Sequence, residues 1–120
     1  MHTLALVLTA VVAVLHVWFL VLESFLWTTP FGRKTLRMSA EQAAATRVLA
    51  QNQGLYNGFL AAGLVWALAG APGQLLSRAT FFLGCVLVAG LVGAATASRT
   101  ILYLQAAPAA AALAALWAGR

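Results

Sequence analysis

The sequence is short of charge and of cysteine. Only 8% of its 120 residues are charged, and just two of these are acidic, Glu23 and Glu41. A soluble domain of this size needs far more polar surface to cover its core. The one cysteine, Cys85, has no partner for an internal disulfide and is best explained as a small packing residue. The composition therefore argues against a soluble domain and against a disulfide-stapled scaffold.

Motifs of known chemistry are missing as well. The chain contains no phosphate-binding glycine loop and no Cys-x-x-Cys, HExxH or GxSxG sequence. His16 has no further ligand to complete a metal site around it. We therefore predict no metal and no cofactor, and the sequence speaks more against an enzyme than for one.

What the sequence has in abundance is apolar residues, at 63% of the chain with a mean hydropathy of +0.94. They form long runs at about 3–27, 47–70, 78–97 and 100–118. Roughly 20 apolar residues cross the hydrocarbon core as a helix, and no strand-like alternation suggests a barrel. The first run lacks the basic start of a signal peptide, so we take it as a retained helix. We predict an all-α integral membrane four-helix bundle, a single transmembrane domain over 1–120 with helices at about 3–27, 40–70, 78–97 and 100–118.

The connection between the first two helices carries helix-start signals. Thr29 followed by Pro30 is typical of an N-cap with proline at the first helical position. This predicts a short interfacial helix over about 30–37. Ser39 with Gln42 three residues later fits a capping box, so the second long helix is expected to begin near Ala40.

The seven basic residues predict orientation in the membrane. They lie at the ends of apolar segments rather than in a cluster, which argues against a nucleic-acid partner. The first and third connections hold five of them, Arg33, Lys34, Arg37, Arg47 and Arg99, and the other side holds Arg78 and Arg120. Loops rich in Lys and Arg stay in the cytoplasm. We expect a multi-pass protein of the bacterial inner membrane, in contact with the lipid bilayer, with both termini outside.

Helix packing is predicted from small residues and proline. Cys85, Ala89, Gly93 and Ala97 recur every four residues on the third helix, a spacing that lets helix backbones approach closely in lipid. Pro108 is expected to kink the fourth helix or to distort one of its turns.

Polar residues inside the apolar runs raise the question of function. At 100° per residue, His16, Glu23 and Trp27 fall within about 40° of one another on the first helix. An ionised glutamate at the centre of a bilayer costs a few kcal/mol or more. This stripe is therefore expected to face other helices.

The second helix offers partners for that stripe. If the first two helices are antiparallel with their ends matched, Glu23 lies opposite Asn52 and Trp27 opposite Val48. Gln53, Gln105 and Arg99 are expected near the level of Glu23, and His16 is expected deeper in the membrane, level with Asn57 or Phe59. The predicted pocket comprises His16, Glu23, Trp27, Asn52, Gln53, Tyr56, Asn57, Arg99 and Gln105.

Four stretches carry a resemblance to a known family: LESFLWTTPFG (22–32), QNQGLYNGFLAAGL (51–64), CVLVAGLVGAAT (85–96) and LQAAPA (104–109). With these, nearly the whole chain resembles a family of small bacterial integral membrane proteins of unknown function. Its motifs are Glu-x-Phe-x-Trp-x-Thr-Pro and Asn-Gln-Gly-x-Tyr-Asn. The resemblance implies a four-helix membrane protein in which the polar residues of the predicted pocket are a family feature. It implies no activity, substrate or cofactor.

Three functions stay open at this point. The preferred one is an intramembrane polar pocket that binds or transports a small amphiphilic molecule, with transport requiring a homo-oligomer because one chain encloses little volume. The second is a membrane enzyme acting on a lipid-like substrate, with Glu23 and His16 as acid and base about 10 Å apart along the helix. The third is a structural or partner-binding subunit, in which buried amides only join the helices through hydrogen bonds worth about 0.6 kcal/mol each.

Overall fold

All regular structure in the described part of the chain is helical. The computed structural model describes residues 2–96, 100 and 102–120. The α-helices in these residues are α1 (His2–Phe25), α2 (Pro30–Leu36), α3 (Ala40–Ala69), α4 (Leu75–Thr96) and α5 (Ala107–Ala118). A 3-10 turn (Pro72–Gln74) leads into α4, and a π-helical segment (Leu102–Ala106) precedes α5. The predicted all-α class is confirmed.

The starts of α2 and α3 are capped as predicted. The Gly32 N–H donates to the Thr29 hydroxyl at 3.1 Å, and Pro30 opens α2. The Ser39 N–H donates to the Gln42 side chain at 3.0 Å, and the Gln42 N–H donates back to the Ser39 hydroxyl at 3.1 Å. This reciprocal pair is a capping box, which satisfies two N–H groups that a helix start otherwise leaves without partners. The position of α2 at a membrane interface stays a prediction.

The end of α2 has an unusual residue. Arg37 lies in the left-handed region, with φ 55° and ψ 47°. Its N–H donates to the Lys34 carbonyl at 3.3 Å, and the Met38 N–H donates to the Arg33 carbonyl at 2.9 Å. These two hydrogen bonds form a Schellman motif, in which glycine is the usual residue at the left-handed position.

The predicted distortion near Pro108 is present. The π-helical segment ends at Ala106 and α5 begins at Ala107, one residue before the proline. Proline has no N–H to donate to the Leu104 carbonyl, and its ring would clash with that carbonyl in an α-helix. The π-helical segment lies directly before this proline, so the helix predicted over 100–118 is not α-helical throughout its described residues.

The chain divides into two compact units. The first, which we call the apolar unit, comprises Met1–Leu15 and Leu60–Arg120. Its core is aliphatic, and the largest of its fully buried apolar side chains are Leu64, Leu83, Val12 and Val86.

The buried face of α4 differs from the predicted small-residue ridge. Leu83, Val86 and Gly90 are buried, whereas Ala89 is exposed and Cys85 is half-buried. A Cβ built on Gly90 would lie 2.6 Å from the backbone nitrogen of Ala106. The close backbone approach thus occurs at Gly90, on a face rotated by one residue from the predicted one. Ala97 lies outside the described residues.

The second unit, which we call the polar unit, is His16–Phe59. It contains the end of α1, all of α2 and the first two-thirds of α3. Both acidic residues and four of the seven basic residues lie in it. It therefore holds most of the residues that the sequence singles out for chemistry.

Candidate functional site

A carboxyl–amide pair joins α1 to α3 inside the polar unit. The Asn57 side-chain amide donates a hydrogen bond to the Glu23 carboxyl oxygen Oε1. Both side chains are partly buried. An acidic side chain near the end of a long apolar helix is thus partnered by a neutral hydrogen-bond donor from a neighbouring helix.

Two glycines on α3 allow the helices to come close enough for this pair. A Cβ on Gly54 would lie 3.2 Å from the Leu20 carbonyl oxygen, and it would also collide with the Ser24 hydroxyl. A Cβ on Gly58 would lie 3.3 Å from a methyl carbon of Leu20. Small residues four positions apart are a common device for close helix packing. Here they bring Asn57, on the same part of α3, against Glu23.

The observed register of α1 against α3 differs from the predicted one. The prediction placed Glu23 opposite Asn52, but its partner is Asn57, more than one helical turn further along α3. The Trp27 indole N–H donates to the Thr46 hydroxyl at 3.0 Å, near but not at the predicted Val48. Aligning the ends of the two helices therefore identified the correct pair of helices, but it predicted the wrong residues of α3 opposite Glu23 and Trp27.

Four other predicted pocket residues of the polar unit differ in their exposure. Asn52 and Gln53 are exposed, and Tyr56 is 56% exposed with its ring edge-on to Phe59 at 6.1 Å between centroids. His16 is fully buried and packs edge-on against Phe19 at 5.1 Å. The structure thus brings Glu23 and Asn57 together and leaves Asn52, Gln53 and Tyr56 on the surface.

The remaining two predicted residues belong elsewhere. Gln105 is half-buried in the π-helical segment, which is part of the apolar unit. Arg99 lies outside the described residues. That these two residues belong to the predicted pocket stays a prediction.

A second feature of the polar unit is a shallow, open groove of about 440 Å³. Its lining residues come from the two connections that flank α2 and from the first turns of α3: Trp27, Arg37, Met38, Gln42, Ala45 and Thr46. Apart from Trp27, sequence reasoning missed these residues. The available signal was an arginine directly after a short capped helix, where a glycine is common.

Metal ligation has no basis in the described residues, where no three His, Cys, Asp or Glu side chains come together. Membrane spanning has a partial basis. Two helical stretches, His2–Phe25 and Pro72–Thr96, are long and apolar enough to cross a bilayer, and Leu102–Ala118 is a shorter apolar stretch. α3 is absent from that set although it is long, since amides occupy its middle.

In its described residues the chain is a helical protein with two stretches long and apolar enough to cross a membrane and a carboxyl–amide pair between two helices. The chain belongs to the family described as "Protein of unknown function (DUF1304)", whose model matches residues 10–117. A curated relative is the "Uncharacterized protein YpaA" of Lactococcus lactis subsp. lactis (strain IL1403). It is 29% identical over 107 residues, which cover 88% of this chain and 89% of the relative. No solved structure matches the chain.

The expected membership in a family of unknown function is confirmed by this match. The membrane character and the two sequence motifs that the resemblance implies stay predictions.

Proposed function

We propose that the protein is a small multi-pass protein of the bacterial inner membrane that binds a small amphiphilic molecule at Glu23 and Asn57. The observation that carries this proposal is the hydrogen bond from the Asn57 amide to the Glu23 carboxyl between two helices. Ionisable groups within membrane segments usually mark sites of function.

Exposed apolar surface supports the membrane location. Only 28% and 22% of the most apolar stretches in His2–Phe25 and Pro72–Thr96 are buried, whereas the core helix of a soluble protein is mostly buried. Val14 is 68% exposed on α1, and Val88 is 60% exposed on α4. Side chains of this kind are stable in contact with acyl chains and costly in water.

The two halves of α3 suit different surroundings. After Asn57 its residues are apolar from Gly58 to Ala69, a stretch shorter than the roughly 20 residues that span the hydrocarbon core. Arg47, Asn52 and Gln53 are exposed in the preceding half. We place this half in the cytoplasmic headgroup region. Glu23 and Asn57 then lie at the cytoplasmic edge of the hydrocarbon, and both termini face outward.

The hydrogen-bonding capacity of the Glu23 carboxylate favours a ligand-binding role over a purely structural one. An ionised carboxylate can accept about four hydrogen bonds, and Asn57 supplies one. The group therefore has capacity for donors from a bound hydroxyl or amine. If the pair were purely structural, substituting either residue would change only the stability of the protein.

The enzyme alternative is less favoured because of His16. An acid–base pair needs both groups within hydrogen-bond reach of one substrate. His16 is fully buried against Phe19 in the described structure, so a substrate held at Glu23 has no surface on which to reach it.

Mass spectrometry of molecules that co-purify with the full chain in detergent tests the proposal. We expect an amphiphile that is lost from Glu23→Gln and Asn57→Leu and kept by Glu41→Gln, which removes the exposed acid at the start of α3. If all variants keep the same molecules as the wild type, the pair is structural.

Movement across the bilayer is tested in proteoliposomes, where uptake of the identified molecule should disappear with Glu23→Gln. Because one chain encloses little volume, we expect uptake to require a homo-oligomer, which cross-linking in the same vesicles would detect. Uptake unchanged by Glu23→Gln would contradict transport through this site.

A further inference from the structure

We propose that the groove beside Arg37 binds the phosphate headgroup of an anionic phospholipid. The inference rests on the proposed membrane location, but it does not depend on a ligand at Glu23. Glu23 and Asn57 are absent from the residues that line the groove.

The lining of the groove has the two chemistries that a lipid headgroup region presents. Met38, Ala45 and the indole of Trp27 offer apolar surface, while Arg37 and Gln42 offer hydrogen-bond donors. The Trp27 N–H is held by Thr46, which fixes the indole as a wall of the groove. A shallow, open groove leaves room for a lipid headgroup, and tryptophan is typical of the membrane interface.

The backbone at Arg37 is the observation that points to a role for its side chain. A residue with a Cβ pays a steric cost at φ 55°, and glycine pays none. Glycine would close the same Schellman turn with the same two hydrogen bonds. Helix capping alone would therefore favour glycine over arginine at this position. Strained backbone of this kind often accompanies function.

The charge of the surrounding segments selects an anionic headgroup. Arg33 and Lys34 lie in the last turn of α2, just before Arg37 in the sequence. Glu41, exposed in the first turn of α3, is the acidic residue near them in the sequence. Basic clusters beside a membrane attract anionic lipids, and a guanidinium can bind a phosphate through two parallel hydrogen bonds.

The test titrates the purified full chain, in a zwitterionic detergent, with dioctanoyl phosphatidylglycerol and follows binding by native mass spectrometry. Dioctanoyl phosphatidylcholine and inorganic phosphate are titrated in parallel. We expect saturable binding of phosphatidylglycerol and weaker binding of the other two. Arg37→Gly should weaken phosphatidylglycerol binding about fivefold, the factor that one basic residue contributes near an anionic surface.

Arg47→Gln is the matched control, since it removes the same charge outside the groove and should retain wild-type binding. Arg37→Gly should also unfold at the same temperature as the wild type or a higher one. Weaker binding by this variant would then not result from unfolding. Undiminished binding by Arg37→Gly, or an equal loss in Arg47→Gln, would overturn the proposal in favour of general charge attraction. Binding of inorganic phosphate as tight as that of the lipid would overturn a lipid ligand.

Two further measurements separate this proposal from the proposed function. Glu23→Gln should bind phosphatidylglycerol like the wild type, so a failed Glu23 site leaves the groove intact. Extraction of the protein from membranes by alkaline carbonate would instead contradict the membrane location on which both proposals depend.

Discussion

Among the described residues of the apolar unit the fully buried side chains are aliphatic except for Thr9, and close helix contact is made by Gly90 of α4 against the backbone at Ala106. In the polar unit the close contact is made by Gly54 and Gly58, and it serves to join Asn57 to Glu23. The same packing device therefore has different consequences. Substitutions in the apolar unit should change stability, and substitutions in the polar unit should change ligand binding with smaller effects on stability.

The largest expected effect is in the core of the apolar unit. Leu83 is fully buried in α4, so Leu83→Ala should lower the free energy of unfolding by about 2–5 kcal/mol. SDS-driven unfolding in mixed micelles measures this. Val88→Ala, on the exposed face of the same helix, is the control and should have much less effect. Equal losses in both variants would contradict the assigned core.

The next effect concerns the contact of α4 with the π-helical segment. A Cβ on Gly90 would meet the backbone of Ala106, so Gly90→Ala should cost about 1–3 kcal/mol in the same unfolding measurement. A Cβ on Gly84 would meet nothing within 4 Å. Gly84→Ala is therefore expected to be neutral or to stabilise the helix by up to about 1 kcal/mol. The opposite order would show that the close approach is at a different residue.

The corresponding glycine of the polar unit should be more tolerant. The nearest atom to a Cβ on Gly54 is the Ser24 hydroxyl, which can rotate away, so Gly54→Ala should cost about 1 kcal/mol. Adding Ser24→Ala should restore part of that loss. The comparison between the units would fail if Gly54→Ala were as damaging as Gly90→Ala and Ser24→Ala gave no recovery.

The smallest expected effect is the energy of the carboxyl–amide pair itself. A double-mutant cycle of Glu23→Leu and Asn57→Leu, each of which removes the hydrogen bond, should give a coupling of about 0.6 kcal/mol, as is usual for hydrogen bonds between membrane helices. Ligand loss in both single variants would accompany this small value. A coupling several times larger with no effect on co-purified molecules would indicate a structural role for the pair.

Local signals predicted local structure well. The Thr29–Pro30 start and the Ser39–Gln42 capping box depend on residues within one turn, and both formed as expected. The partner of Glu23 was assigned to the correct helix but to Asn52 instead of Asn57. Helix length cannot set this register, because it depends on where the glycines of α3 meet Leu20 and Ser24.

The same limit explains the α4 prediction. Counting small residues selected Cys85, Ala89 and Gly93, whereas the buried contact lies at Gly90. A four-residue period of small side chains exists on more than one face of α4, and only the partner surface decides which face is used. The groove around Arg37 was missed for a related reason, since it depends on how the connections before and after α2 pack against the first turns of α3.

The π-helical segment before Pro108 has a consequence for how the chain length can vary. Its hydrogen bonds close over one more residue per turn than those of an α-helix. Removing a single residue from Leu102–Ala106 would convert the wide turn to an ordinary one, and Ala109, Ala112 and Leu116 would keep their spacing to one another. Relatives that are one residue shorter at this point can therefore preserve the packed face of α5, provided that the proline is lost with it.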